Sequence, residues 1–291
     1  MLFAAIDIGS NAARLLFANA YEKDGVAKLD KASLIRIPTR LGEDVYNDQL
    51  ISKEKAKNFI KTMKAFKLLI DVYQPESYLA CATAAMREAK NSKEILKTIK
   101  QDIGLKIKVI EGTEEAEIIR NTNRIIFPVP KPYALYIDVG GGSTELSVER
   151  NGLLLKQKSF KVGTLRLLGD KVKPGVWKEM EKWLEEYTTK FPDFHLVGTG
   201  GNINRLCKLY GHEEHKELNI GNLNFGYLQL KNMSIQDRIV NFGFRPDRAD
   251  VIVPAAYIYR YVMNFLGAQS IFVPRKGLVD GLILKQFKKF Q

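Results

Sequence analysis

Cysteine is nearly absent: Cys81 and Cys207 are the only two in 291 residues. Two are too few for a disulfide framework or a four-cysteine zinc site, and their apolar neighbours favour buried, reduced thiols. Only three histidines occur. His212-Glu213-Glu214-His215 puts two of them three residues apart, where a helical zinc pair needs four, and no third ligand is evident. Long hydrophobic runs are also missing. None approaches the roughly 18 apolar residues of a spanning helix, and the N-terminus reaches Asp7 before a signal-peptide core can form. The expectation is a soluble, cytoplasmic protein with no membrane partner. Acidic residues are outnumbered 33 to 45, for a net charge of +12. That excess favours a polyanionic partner, yet no nucleic-acid reader motif is recognisable, so nucleic acid is not the expected one.

Apolar content is ample. At 45% hydrophobic residues and about 150 residues per domain, the chain is long enough for two domains with real cores. Short β-rich runs alternate with helical patterns, the mark of α/β architecture. Strands are expected at 2–6, 14–20, 78–82, 106–110, 134–139, 145–149, 195–198 and 270–273. Ala56, Phe59, Ile60, Met63, Phe66 and Ile70 recur at helical spacing, with Ser52 as the starting cap and lysines on the other face. Further helices are expected from Asn91 or Ser92 to Gly104, after Pro174, over 203–210, and along the 277–291 tail, which is expected to pack back on the first lobe.

The sequence also echoes itself at an offset of 131 residues. Ile6-Asp7-Ile8-Gly9-Ser10 returns as Ile137-Asp138-Val139-Gly140-Gly141. Between the copies, Pro128, Pro130 and Pro132 remove backbone donors and interrupt regular structure. This gives two homologous lobes, 1–127 and 128–291, facing each other across a cleft where ligands are favoured.

An Asp in a tight strand-to-strand turn, followed by Gly and small polar residues, suits two tasks: the carboxylate holds Mg²⁺ or its water, and exposed N–H groups wrap phosphate oxygens. Asp7-Ile8-Gly9-Ser10-Asn11 and Asp138-Val139-Gly140-Gly141-Gly142-Ser143-Thr144-Glu145 both fit. The plain alternative is a glycine hairpin whose Asp caps the turn, and one copy per lobe weakens that alternative. Gly198-Thr199-Gly200-Gly201-Asn202, between a strand and a helix, is a third loop with donors for an anion. Glu114 and Glu115 open a helical pattern, where carboxylates either complement the dipole or serve as a general base for an attacking water. Arg14, Arg40 and Arg87 flank small-residue turns, as solvated side chains or as forks for phosphate oxygens.

Taken in order with Arg40-Leu-Gly-Glu43, Ala82-Thr-Ala-Ala-Met-Arg-Glu-Ala-Lys-Asn91, Glu111-Gly-Thr-Glu-Glu-Ala116 and Arg248-Ala-Asp-Val-Ile252, these motifs resemble the exopolyphosphatase and guanosine pentaphosphate phosphatase (Ppx/GppA) family of the actin, sugar-kinase and heat-shock-ATPase superfamily. The resemblance implies two ribonuclease-H-like (actin-like ATPase) lobes with mixed sheets flanked by helices. It implies dependence on Mg²⁺ or Mn²⁺ and removal of the terminal phosphate from polyphosphate or pppGpp. Glu115 matches the catalytic base and Arg87 a phosphate-binding arginine. Asp138 and Glu145, with Asp7, match the metal carboxylates. Ser10, Asn11, Arg14, Arg40, Gly140, Gly141, Gly142, Ser143, Gly200 and Gly201 match the phosphate contacts. A homodimer fits as well, since two copies lengthen a basic channel. Four positions depart from the pattern: Ala12, Glu117, Asn202, and Val279 in place of an arginine. Each lost charged hydrogen bond weakens binding by about 1 to 3 kcal/mol. Two alternatives stay open at this stage, an ATP-dependent phosphotransferase and a protein that binds polyphosphate or (p)ppGpp without cleaving it.

Overall fold

The computed structural model describes residues 1–124, 132–151, 153–191, 194–212, 214 and 216–291. The chain divides into two compact units, Met1–Ile125 with Gly277–Gln291, and Ile126–Lys276. The proline segment expected as the boundary lies mostly outside the described residues, as do Glu213 and His215.

The first unit runs β1 (Leu2–Ile8), β2 (Ala13–Lys23), β3 (Val26–Ile37), α1 (Leu41–Asp48), α2 (Lys53–Tyr73), β4 (Ser77–Ala82), α3 (Ala84–Glu88), α4 (Ser92–Ile103), β5 (Lys108–Val109) and α5 (Gly112–Arg124). Its sheet has the order β3-β2-β1-β4-β5. β1 is antiparallel to β2 and parallel to β4. Because β1 is buried on both faces, it reads as a nearly continuous apolar run rather than an alternation. Ser52 caps α2 by accepting from the Lys55 N–H, and Gly104 ends α4 at φ 72°, a conformation glycine adopts at little cost.

The second unit runs β6 (Tyr133–Val139), β7 (Thr144–Arg150), β8 (Leu153–Phe160), α6 (Thr164–Leu168), α7 (Val176–Lys190), β9 (Phe194–Thr199), α8 (Gly201–Tyr210), β10 (Glu217–Asn219), α9 (Ile220–Lys231), α10 (Ile235–Phe242), α11 (Pro246–Ala249), α12 (Ile252–Phe265) and β11 (Ser270–Phe272). Its sheet order is β8-β7-β6-β9-β11-β10. With β10 set aside, this repeats the first sheet position for position, including strand directions. The fold is α/β, two ribonuclease-H-like mixed sheets flanked by helices. The core of this unit joins Ile137 and Leu146 of the sheet to Met180 and Leu184 of α7 and to Ile258 and Val262 of α12.

The last helix, α13 (Leu278–Phe290), belongs to the first unit, where Leu282, Ile283 and Phe287 pack with Phe3, Ala5 and Leu16. On the other face of that sheet, Phe17 stacks on Tyr73 at 4.1 Å between ring centroids.

Three strands escape the sequence reading. β3 and β8 flank β2 and β7 and bury almost none of their residues fully, so their alternation is faint, and β10 has only three residues. Conversely, the strand expected over 106–110 shrinks to Lys108–Val109, because β4 pairs with it only at Cys81 and Ala82. The helices between Ile220 and Phe265 were not anticipated either. α9 has buried and exposed apolar residues around its circumference, so it lacks a clean stripe. No helix among the described residues is long and apolar enough to cross a membrane.

Candidate active site

The internal echo becomes two hairpins of the same construction. In the first, the Gly9 N–H donates to the Ala12 carbonyl at 3.1 Å; in the second, the Gly140 N–H donates to the Ser143 carbonyl at 2.9 Å. The carbonyls of each turn are then taken up by the start of a helix. Ser10 and Asn11 accept from the N–H groups of Gly42 and Arg40. Gly140 and Gly141 accept from those of Thr164 and Leu165, and the Gly142 carbonyl accepts from the Arg166 side chain at 2.6 Å. A Cβ on Gly163 would lie 2.6 Å from the Gly141 oxygen, so the close approach of α6 to the turn requires glycine there.

This has a chemical consequence. With its carbonyls turned toward α6, the turn of the second unit leaves the N–H groups of Gly141, Gly142 and Ser143 with no protein acceptor among the described residues. Successive uncommitted amides are what an anion needs.

Directly across the strand pair, Asp138 and Glu145 are register partners. Glu145 is buried, and its Oε1 accepts from Ser143 Oγ at 2.5 Å and Ser159 Oγ at 3.0 Å. No third His, Cys, Asp or Glu joins them among the described residues. In the first hairpin the corresponding register pair is Asp7 and Arg14, an ion pair at 2.5 Å with the carboxylate buried. Asp7, expected as a metal carboxylate, therefore has one oxygen committed to one nitrogen of the Arg14 guanidinium.

The glycine cluster after β9 forms the entry to α8. Gly200 has φ 102°, and a Cβ there would lie 2.9 Å from Asp138 Oδ1, so the third loop touches the second. The Tyr259 hydroxyl of α12 donates to the Thr199 carbonyl at 2.6 Å and accepts the Val139 N–H at 3.4 Å. Burial, then the neighbouring Asp138 charge, pushes this phenol well above the usual tyrosine range.

In the first unit, Ser10 Oγ and the Tyr46 hydroxyl lie 2.6 Å apart. Arg40 starts α1 from the left-handed region at φ 45°, an unusual conformation for a side-chain-bearing residue. Its guanidinium pairs with Glu43. Lys55 joins Glu43 and Asp44 at 2.9 and 2.7 Å. Arg87 on α3 donates to the Ile110 carbonyl at 2.8 Å and faces Glu111 at 3.7 Å. α5 begins with Glu114 and Glu115 in its first turn. Glu114 accepts from Lys108 at 2.7 and 2.8 Å, and that lysine holds its carboxyl below the usual range. Glu115 is half-buried, and its N–H bonds the Glu111 carbonyl.

Of the four departures, Asn202 is half-buried in the first turn of α8 and Ala12 closes the first hairpin turn. Ala12 is buried, Val279 is buried in the apolar core of the first unit, and Glu117 is exposed on α5. Cys81 and Cys207 are both buried and form no disulfide, and burial, then Glu114 and Asp7, pushes the Cys81 thiol up to about 11.

Comparison with known proteins follows the same lines. Residues 33–290 match the model of the Ppx/GppA phosphatase family. The chain is 28% identical to a bifunctional 3-dehydroquinate synthase/phosphatase of Fusobacterium nucleatum, over 98% of its own length but only 46% of that protein. It is 24% identical to exopolyphosphatase 1 of Mycobacterium leprae, covering 98% of this chain and 89% of the relative. The crystal structure of the Aquifex aeolicus Ppx/GppA family member superposes with a TM-score of 0.78 at 26% identity, over 100% of this chain and 99% of that one. An exopolyphosphatase from Cytophaga hutchinsonii shares the fold, with a TM-score of 0.84 at 21% identity, over 99% and 98% of the two chains.

Proposed function

Because the chain belongs to the Ppx/GppA phosphatase family, we propose that it hydrolyses a terminal phosphoanhydride, with inorganic polyphosphate as the leading substrate and pppGpp as the second. The observation that carries this reading is the turn from Gly140 to Ser143. Its carbonyls are tied back by α6, its amides are uncommitted, and the Asp138 and Glu145 carboxylates stand on the strands that flank it. Donors fixed before the substrate arrives stabilise developing negative charge without reorganising.

Asp138 and Glu145 would hold Mg²⁺ or Mn²⁺. Hard oxygen donors fit such an ion, and Mg²⁺ in phosphate sites commonly takes only one or two carboxylates and fills the rest with water and phosphate oxygens. When bound, the ion supplies neutralisation of charge on those oxygens. The chain's own groups do the remaining work. The amides of Gly141, Gly142 and Ser143, with the first turn of α8, bind phosphate oxygens. Glu115 takes the proton of the attacking water. Glu114 is the poorer base, because Lys108 stabilises its charged form. Arg87 orients a phosphate from the end of α3.

The deciding experiment measures phosphate release from long-chain polyphosphate, pppGpp and ATP, with Mg²⁺ and with chelator, for wild type and Glu115→Gln. Metal-dependent release that disappears in the variant, while polyphosphate binding persists, is the expected result. Unimpaired release by Glu115→Gln would reject the base. Binding without release by wild type would make the protein a receptor, and phosphate transfer from ATP to an added acceptor would make it a transferase.

A further inference from the structure

Two strands of the second unit end side by side. The parallel ladder of β6 and β9 runs out at Asp138 and Thr199, and each strand then enters a glycine loop. Tyr259 sits fully buried on α12 at that point. Its hydroxyl bridges the two ends, donating to the Thr199 carbonyl and accepting the Val139 N–H. The buried neighbours on α12, among them Ala255, Ile258, Val262 and Met263, are apolar. A hydroxyl in such a core is unfavourable unless both its donor and its acceptor are used. Here both are used on the same pair of loops. Filling the volume alone needs no more than phenylalanine.

We propose that Tyr259 is a positioning residue that holds the Asp138 loop and the Gly200 loop in one register for phosphate and cation binding. This rests on the hydrolase reading above. The tolerance is small, because the space for a Cβ on Gly200 is already closed by Asp138 Oδ1 at 2.9 Å. If the bridge is lost, the carboxylate and the amides around it move independently. Tyr259 needs no contact with substrate to act in this way.

The test compares Tyr259→Phe, which keeps the ring, with Val262→Ala, which opens the same core without touching either loop. Amide hydrogen exchange on the ligand-free protein is the primary readout. The hydrogen-bonded amides of Gly140 and Asn204, whose acceptors are the Ser143 and Gly200 carbonyls of the two loops, should exchange about tenfold faster in Tyr259→Phe than in wild type, while Val262→Ala leaves them near wild type relative to the rest of α12. Unchanged exchange in Tyr259→Phe, or equal acceleration in both variants, would overturn the proposal. In the activity assay, Tyr259→Phe should raise the Mg²⁺ concentration for half-maximal phosphate release about tenfold, with a smaller change in kcat. An unchanged Mg²⁺ requirement beside slower kcat would also count against it. Silence of wild type toward every phosphate would sink the hydrolase reading alone, since the exchange comparison does not depend on turnover.

Discussion

The two Asp-x-Gly hairpins share a turn, a register and a tie to a helix that follows, yet they differ in what stands opposite the aspartate. Opposite Asp7 stands Arg14, and opposite Asp138 stands Glu145. The first hairpin closes its charge internally; the second concentrates two carboxylates beside uncommitted amides. A duplicated architecture thus carries an acid–base pair in one copy and a pair of acids, the proposed cation ligands, in the other.

The sharpest way to break this comparison is to neutralise each aspartate in turn. Asp138→Asn should lower metal-dependent phosphate release by about 100-fold or more, the scale of losing a preorganised charge-stabilising group. Asp7→Asn should cost about tenfold or less. Equal losses in the phosphate assay would mean that the hairpins share one role.

Next in size is Gly163→Ala. The added carbon meets the Gly141 oxygen at 2.6 Å, so the turn has to shift. Overpacking of this kind costs about 1 to 3 kcal/mol, and urea unfolding should record it together with a loss of activity. Normal activity in a destabilised variant would show that the turn tolerates displacement.

Arg14→Met removes the partner of a buried carboxylate in the first hairpin. Urea denaturation at pH 7 should show a loss of about 1 to 3 kcal/mol, discounted toward the lower end because Arg14 is partly exposed. No loss would mean that Asp7 finds another partner.

The smallest effect concerns the helices that tie back the turns. α1 carries Glu43 and Asp44 in its first turn, whereas α6 carries no acid there. Burial raises both carboxyls, but hydrogen bonds from Arg40 and Lys55 to Glu43, and from Lys55 and Ser52 to Asp44, outweigh it and leave both lowered. Their contribution is therefore present above the unfolded values of 4.5 and 3.8, and it is lost as the pH falls through the lower folded values. Lys55→Met should lose less than about 1 kcal/mol at pH 7, and the gap to wild type should close below about pH 4. A gap that widens in acid would contradict this assignment.

The loops were legible in the sequence because their chemistry is local. Asp, Gly and small polar residues within five or six positions specify the turn, and a strand on either side completes it. The helices at Ser52 and Gly104 were legible for the same reason, through a cap at one end and a left-handed residue at the other. What was not legible acts at a distance. Arg166 reaches Gly142 across 24 positions, and Tyr259 reaches Thr199 and Val139 across 60 and 120. Gly163 gave a weak signal, a lone glycine before Thr164, that only the packing of α6 interprets. The pairing of Asp7 with Arg14 was hidden in plain view: their register is fixed by the hairpin, but an arginine beside a phosphate-type turn reads equally well as a ligand contact.

The first unit has one further property, set by α13. Phe3 of β1 meets Phe287 and Phe290 edge to face, and Gln286 donates to the Ala4 carbonyl and accepts from the Ser77 hydroxyl. During synthesis, strands made at residues 2–8 must therefore wait for a helix made at 278–290, while the second unit lies wholly within the interval. The residues of the second unit are therefore all made before the first unit receives α13. Until then the face of its sheet that carries Phe3, Ala5 and Leu16 has Ile118 and Ile119 of α5 as cover but lacks Leu282, Ile283 and Phe287.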